Sequence, residues 1–258
     1  MSPFPCGGGW RWLTGRRLPA IPPLPMKTSL IQDRRSFLNL AGSAAALAPG
    51  GLALAAGAAG PVVAREGDRP VLLLGIACSP RAGKTTAAAV RTALESAAKV
   101  NPRIRTELID LGGKRIAGWS PEPVSDDFDA VLARLKDPAL GGLIIGSPSF
   151  FRSLSSLCKA FIERCMPLRE APAALADKPV GALAIAGNRH GGQELVVQQI
   201  LTAMLSYGMI PVGGNAPALL GGTVWNKAGD DVANDPDGLA TARLLGTRVA
   251  TMALKLIP

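Results

Sequence analysis

Aromatic residues, paired cysteines and runs of basic residues are all scarce in this chain. Aromatics make up 4% of its 258 residues, against 30 glycines. That balance argues against an all-β sandwich and for tight strand-to-helix turns. The four cysteines, Cys6, Cys78, Cys158 and Cys165, show no C-x-x-C spacing, so neither a disulfide framework nor a zinc site follows. The three in the body read as buried or unpaired thiols. Charge is unevenly distributed: residues 1–60 hold +5 of the formal +9, through Arg11, Arg16, Arg17, Lys27, Arg34 and Arg35 against Asp33. The remainder is mildly basic and has no Lys/Arg run, so it lacks the electrostatic footprint of a nucleic-acid binder. A local phosphate site remains compatible with it. The apolar fraction of 48% and charged fraction of 18% suit a globular α/β protein.

The N-terminal 64 residues read as an address rather than as fold. Asp33-Arg34-Arg35-Ser36-Phe37-Leu38 has the pattern of a twin-arginine export signal. An uncharged Ala/Gly-rich stretch follows from Ser36 to Ala64, broken by Pro49, Gly50 and Gly51. Such a stretch is a poor membrane-spanning helix. Small residues around Ala56-Gly57-Ala58 and Val62-Val63-Ala64 offer cleavage points. The expectation is an exported, periplasmic protein handled by the twin-arginine machinery, with no stable span in the mature form. An uncleaved N-terminal anchor is the alternative. Residues 1–25 are rich in Pro, Gly and Trp, and Met26-Lys27 opens a signal of ordinary length, so translation is expected to start at Met26.

From residue 70 to 258 the pattern alternates. Val71–Ala77 is an unbroken apolar run of strand length, as expected of a strand buried on both faces. Further strands are expected at Ile104–Leu111, Gly142–Gly146, Val180–Ala186 and Met209–Val212. Helices are expected at Lys84–Val100, Asp126–Lys136, Leu154–Cys165, Gln193–Tyr207 and Leu239–Leu256. Five strands alternating with helices predict a doubly wound parallel sheet, whose ligand sits beyond the carboxyl ends of the strands. The irregular stretch from Ala216 to Gly238 is too long for a plain connection.

Three loops at those strand ends carry the candidate chemistry. The first, after strand one, holds Ser79, Arg81, Lys84, Thr85 and Thr86. It brings hydroxyls, two cations and a helix N-terminus to one point, a combination that suits a phosphate. The same string ends like a nucleoside-triphosphate loop, in Gly83-Lys84-Thr85, which keeps a P-loop-type nucleotide-binding protein as an alternative. Cys78 stands where that motif needs glycine. Strand three ends in Gly146-Ser147-Pro148-Ser149 rather than in a metal-binding acid, and Asp110 at the end of strand two is a poor substitute. The second loop holds Pro148, Ser149, Phe150, Phe151, Arg152 and Ser153. The third holds Gly187, Asn188, Arg189, His190, Gly191 and Gly192. His190, the only histidine, reads as a solvent-facing loop residue, since no partner for a general base is evident.

Ser79-Pro80-Arg81, the Gly146-Ser147-Pro148-x-aromatic loop and the run Leu154…Lys159-Ala160-Phe161-Ile162-Glu163-Arg164 together resemble the flavodoxin-like NAD(P)H-dependent FMN reductases, particularly the iron–sulfur flavoproteins. The resemblance runs from about Val71 to Gly213. It implies a flavodoxin-like three-layer α/β sandwich with a five-stranded parallel sheet. It also implies FMN as cofactor, with its phosphate on the first loop, and NAD(P)H as co-substrate. The second loop would lie along the isoalloxazine edge, and the third would border the ring. A homo-oligomer is a further implication. Lys114–Pro123 departs from the iron–sulfur pattern, because it holds no cysteine to ligate a cluster, and no metal centre is expected.

The reading is an FMN-dependent NAD(P)H oxidoreductase passing electrons to a small-molecule or redox-protein acceptor. The alternative is an exported FMN electron carrier without direct nicotinamide reactivity. No catalytic acid or base is assigned, because the flavin carries the chemistry.

Overall fold

The computed structural model describes residues 69–257, apart from Ala171 and Ala228. The expected twin-arginine signal and the expected start at Met26 lie outside the described residues.

Strand β1 (Val71–Ala77) is buried along its whole length and divides its side chains between two cores. Leu72, Leu74 and Ile76 point into one hydrophobic cluster, and Val71, Leu73 and Ala77 into the other. This alternation is the period-2 geometry of a strand with helices on both faces. The first cluster is completed by α2 (Phe128–Leu135), α3 (Ser156–Arg164) and α4 (Gln193–Leu205), the second by α1 (Thr85–Ala98) and α5 (Pro236–Leu256). The result is a three-layer sandwich.

The sheet has the order β2-β1-β3-β5-β6, with β2 at Ile104–Asp110, β3 at Leu140–Phe150, β5 at Pro179–Ala186 and β6 at Ile210–Pro211. All four pairings are parallel. With the small hairpin strand β4 (Ser153–Leu154) set aside, this is the 2-1-3-4-5 order of a flavodoxin-like fold.

Two features depart from the pattern expected from sequence. Strand β3 runs on past Gly146 to Phe150 and turns back antiparallel into β4, pairing Ser149 with Leu154 and Phe150 with Ser153. The fifth position in the sheet is shared. Strand β6 pairs with the start of β5, and a further strand, β7 (Gly222–Trp225), pairs in parallel with its end, Leu183 to Ala186. The stretch expected to be irregular therefore supplies the second half of the edge strand and places Trp225 level with Ala186, at the mouth of the third loop.

Candidate functional site

The first loop leaves β1 under tight control. The Cys78 amide donates to the Gly146 carbonyl at 2.8 Å, which ties the ends of β1 and β3 together. Ser79 is buried, and its hydroxyl accepts the Arg81 amide at 3.2 Å. Asp110, at the end of β2, accepts the amides of Gly83 (2.7 Å) and Gly112 (2.9 Å). Its carboxylate is thus engaged by the loop backbone, a different role from the metal ligand a nucleoside-triphosphate site requires. Thr85 and Thr86 are buried as α1 begins. No side chain caps this helix at Lys84, and its first turn holds no acidic residue. An uncapped helix start offers unpaired amides and the positive end of the helix dipole to an anion.

The second loop is the β3–β4 hairpin. Its two turn residues, Phe151 (φ 51°) and Arg152 (φ 63°), both lie in the left-handed region. A two-residue hairpin with both central φ values positive is normally built from Asn-Gly, and bulky residues there cost of order 1–3 kcal/mol each. The turn holds Phe151 fully exposed (105%) and Phe150 half exposed. Behind the hairpin, Ser155 joins three elements. Its hydroxyl donates to the Cys78 carbonyl (2.6 Å) and accepts the Cys158 amide (3.0 Å), while its own amide donates to Ser147 Oγ (3.0 Å). Ser153 turns toward α4, donating to Gln199 Oε1 at 2.9 Å.

The third loop is organised by a residue that sequence reading did not single out. Gln193 is 6% exposed. Its Oε1 accepts the Gly191 amide (2.9 Å), and its Nε2 donates to the carbonyls of Asn188 (3.1 Å) and Arg189 (3.3 Å). Gly187, Asn188, Arg189 and His190 remain exposed around this hub. Trp225 Nε1 donates to the Gly187 carbonyl at 3.1 Å, and the Arg189 guanidinium lies 4.5 Å from the Trp225 ring centroid.

Second and third loops meet directly. Ser149 Oγ donates to the Gly191 carbonyl at 2.6 Å. Gly192 has φ 89°, and a Cβ there would come within 2.8 Å of Arg152 Cα and Cβ, so only glycine fits. A cavity of about 480 Å³ opens beside this junction, lined by Arg152, Arg189, Gly192, Trp225 and the start of α5 at Asp237 and Thr241. Of the residues expected to hold a cofactor, it takes in Arg189 and Gly192 but none from the first loop.

The first loop instead faces a segment that no sequence motif marked. Arg81 Nη1 contacts both oxygens of Asp230, at 2.9 and 2.8 Å. Asp230 also accepts from Asn226 Nδ2 at 3.0 Å, and the Asn226 amide donates to the Ala186 carbonyl at 2.8 Å. The Asn226 hydrogen bond and Arg81 hold the Asp230 carboxyl below its ordinary range. Since an ionised carboxylate only accepts, this contact fixes the orientation of the Asn226 amide group. Its Oδ1 is then a buried acceptor without a partner. Orphaned buried acceptors are rare in folded proteins and often mark an absent ligand or water. Asn226, Asp230 and Gln193 are the site residues sequence reading missed. The only local signals were the Gly191-Gly192 pair before Gln193 and Gly229 before Asp230.

Cys78, Cys158 and Cys165 are buried and free, and burial pushes the Cys78 and Cys165 thiols up. Among the described residues no group of His, Cys, Asp and Glu is arranged to hold a metal ion. The segment after β2 is fastened to α3 by carboxylates. Asp126 pairs with Arg164 at 2.7 Å and accepts the Ala117 amide at 2.8 Å, and Glu163 accepts the Trp119 amide at 3.0 Å.

Comparison with known proteins gives consistent results. A family model described as NADPH-dependent FMN reductase matches residues 71–222. The chain is 40% identical over 195 residues to an iron-sulfur flavoprotein of Methanocaldococcus jannaschii, covering 72% of this chain and 98% of that protein. It is 30% identical over 195 residues to an NAD(P)H dehydrogenase (quinone) of Paracoccus denitrificans, covering 67% and 89% respectively. Among solved structures, the flavodoxin, WrbA-like protein from Agrobacterium tumefaciens matches with a TM-score of 0.51 at 18% identity, covering 73% of this chain and 99% of that one. A likeness at that identity speaks for the fold alone.

Proposed function

The chain belongs to the NADPH-dependent FMN reductase family, and on that premise we propose that it is an FMN-dependent oxidoreductase oxidising a reduced nicotinamide and reducing an acceptor. The observation that carries this reading is the placement of three loops at the carboxyl ends of β1, β3 and β5, the second bonded to the third through Ser149 and Gly191 and the first tied by Arg81 to the Asn226–Asp230 turn.

The residues present fit the cofactor. The uncapped start of α1, with Thr85 and Thr86 beside it and Arg81 and Lys84 on its rim, would take the phosphate. The orphaned Asn226 Oδ1 would accept from a hydroxyl or an imide N–H. Pro148, Ser149, Phe150, Phe151 and Ser153 would flank one side of the ring system, and Gly187, Asn188, Arg189, Gly191 and Gly192 the other. Bound FMN supplies the hydride-accepting and electron-donating chemistry. The protein's part is to orient it. Gln193 and the Ser149–Gly191 bond fix the loop that meets the ring, and Ser155 holds the strand ends beneath it. His190 is exposed, and a hydride transfer to flavin requires no proton donor from it.

The segment after β2 holds no thiolate, so we assign this chain to a flavin-only branch beside its iron-sulfur relatives. The twin-arginine motif favours export in the folded, cofactor-loaded state. Nicotinamides are scarce outside the cytoplasm, so the same motif supports a second reading, an exported one-partner electron carrier. No helix among the described residues is long and apolar enough to cross a membrane.

The test is spectroscopic. Purified protein should show a flavin spectrum, with FMN released on denaturation. Anaerobic mixing with NADH or NADPH in a stopped-flow instrument should bleach it. A flavin that stays oxidised with both donors would leave the carrier reading; a colourless protein that takes up no FMN would remove both.

A further inference from the structure

The phosphate arginine already has an anion. Arg81 is paired with Asp230 through one terminal nitrogen to both carboxylate oxygens. Asp230 also senses the positive charge of Lys84, at the very start of α1. The carboxylate thus stands beside the two cations and the helix start that would receive the phosphate. It belongs to a turn outside residues 71–222, the segment matched by the family model. That turn is anchored at its other end, where Asn226 continues the sheet ladder from Ala186.

The pair is built to open. The side chains of Arg81 and Asp230 are 52% and 32% exposed, so solvent screens their attraction and the pair is weak. A phosphate monoester carries up to twice the charge of a carboxylate, and at this site it would also meet the unpaired amides of α1. Asp230 lies in a turn at φ 56°, a conformation that Asp and Asn tolerate better than most residues.

We infer that Asp230 is a built-in placeholder for the flavin phosphate, holding Arg81 at the start of α1 and giving way to the phosphate when FMN binds. The inference rests on the FMN reading above and assigns it a residue that sets affinity for phosphorylated flavins. The carboxylate competes with the phosphate for Arg81 and repels it. Its removal therefore strengthens FMN binding and leaves riboflavin, which has no charge at that end, unaffected.

The experiment compares the flavin-free full chain with Asp230→Asn, in the wild-type background and with Arg81→Met. Fluorescence-quenching titrations use FMN and riboflavin at low ionic strength. Asn keeps the positive φ, and matching thermal midpoints confirm that the variants are folded. The expected result is FMN binding about two- to five-fold tighter in Asp230→Asn, with riboflavin unchanged. The gain should be smaller with Arg81→Met, where only the direct repulsion remains, and should shrink as salt rises. FMN binding that is unchanged or weaker, or a riboflavin shift of equal size, overturns the placeholder. If the unmodified protein takes up no FMN, the functional reading itself fails, and that result is distinct from a wild-type protein that binds FMN without any effect of Asp230.

Discussion

Gln193 offers the sharpest test of how the third loop is held. Its amide group spans the loop, accepting the Gly191 amide at 2.9 Å and donating to the Asn188 carbonyl at 3.1 Å, with a longer bond to Arg189. All of this takes place with the side chain almost fully buried. Gln193→Ala removes two good hydrogen bonds at ~1 kcal/mol each, so urea denaturation should show a loss of about 2 kcal/mol. The loosened loop must then be reordered when the cofactor binds. If that ordering costs ~1.4 kcal/mol, the FMN dissociation constant rises about ten-fold. Gln193→Glu sharpens the argument. The carboxylate still accepts from Gly191, but it points its other oxygen at carbonyls that need a donor. At pH 7 it should be less stable than the alanine variant, because a buried charge without a donor costs more than a lost bond. Burial also raises the folded-state pKa of the introduced Glu above its unfolded value of about 4.3. The penalty is therefore full above the folded pKa and disappears as pH falls below about 4.3. The stability difference between Gln193→Glu and Gln193→Ala should narrow, then reverse, on going from pH 7 to pH 4. A glutamate variant as stable as wild type at pH 7 would refute the reasoning.

Tyr207, the only tyrosine in the chain, donates from its hydroxyl to the Ile162 carbonyl at 2.5 Å. Burial pushes its pKa up to about 12, above about 10 for an unfolded tyrosine. It therefore contributes stability below pH 10 that is lost as pH rises through 12, and absorbance at 295 nm should show a single late titration. Tyr207→Phe should cost ~1 kcal/mol in urea denaturation. Gly192→Ala places a methyl group against Arg152 on a backbone with φ 89°. A loss of roughly 2 kcal/mol should appear with weakened FMN binding, since the clash pushes the hairpin from the third loop; unchanged flavin affinity would separate the hairpin from the site.

Much of the architecture was legible from pattern alone. Val71–Ala77 matched the observed strand residue for residue, because a strand buried on both faces is an apolar run with abrupt ends. The helices were displaced by no more than about three residues at any end. The split edge strand was not legible. Gly222–Trp225 is four residues long and half-buried, too short for a period to show. The hairpin after β3 escaped for a different reason, since Phe-Arg carries none of the usual signal for two positive φ values. In the site, the loops were legible because glycines, hydroxyls and cations cluster at strand ends. Gln193 was not, because its neighbours Asn188, Arg189 and Gly191 give no sign of which way their backbone groups turn, and Asn226 and Asp230 were not, because their roles come from contacts across the fold. Asp230 meets Arg81 149 positions away, a pairing that no local window contains.

The divided fifth position in the sheet has a consequence for how molecules of this protein meet one another. A sheet edge is a row of unpaired amides and carbonyls that invites a strand from another chain. Here that row is interrupted between Pro211 and Gly222, and Pro211 lacks an amide to offer. At the opposite edge, β2 presents Arg105 and Glu107, with Glu107 clamped by Arg134. Neither border offers a long, flat, apolar template. The fold can be handled at high local concentration with little tendency to zip into fibres along its edges.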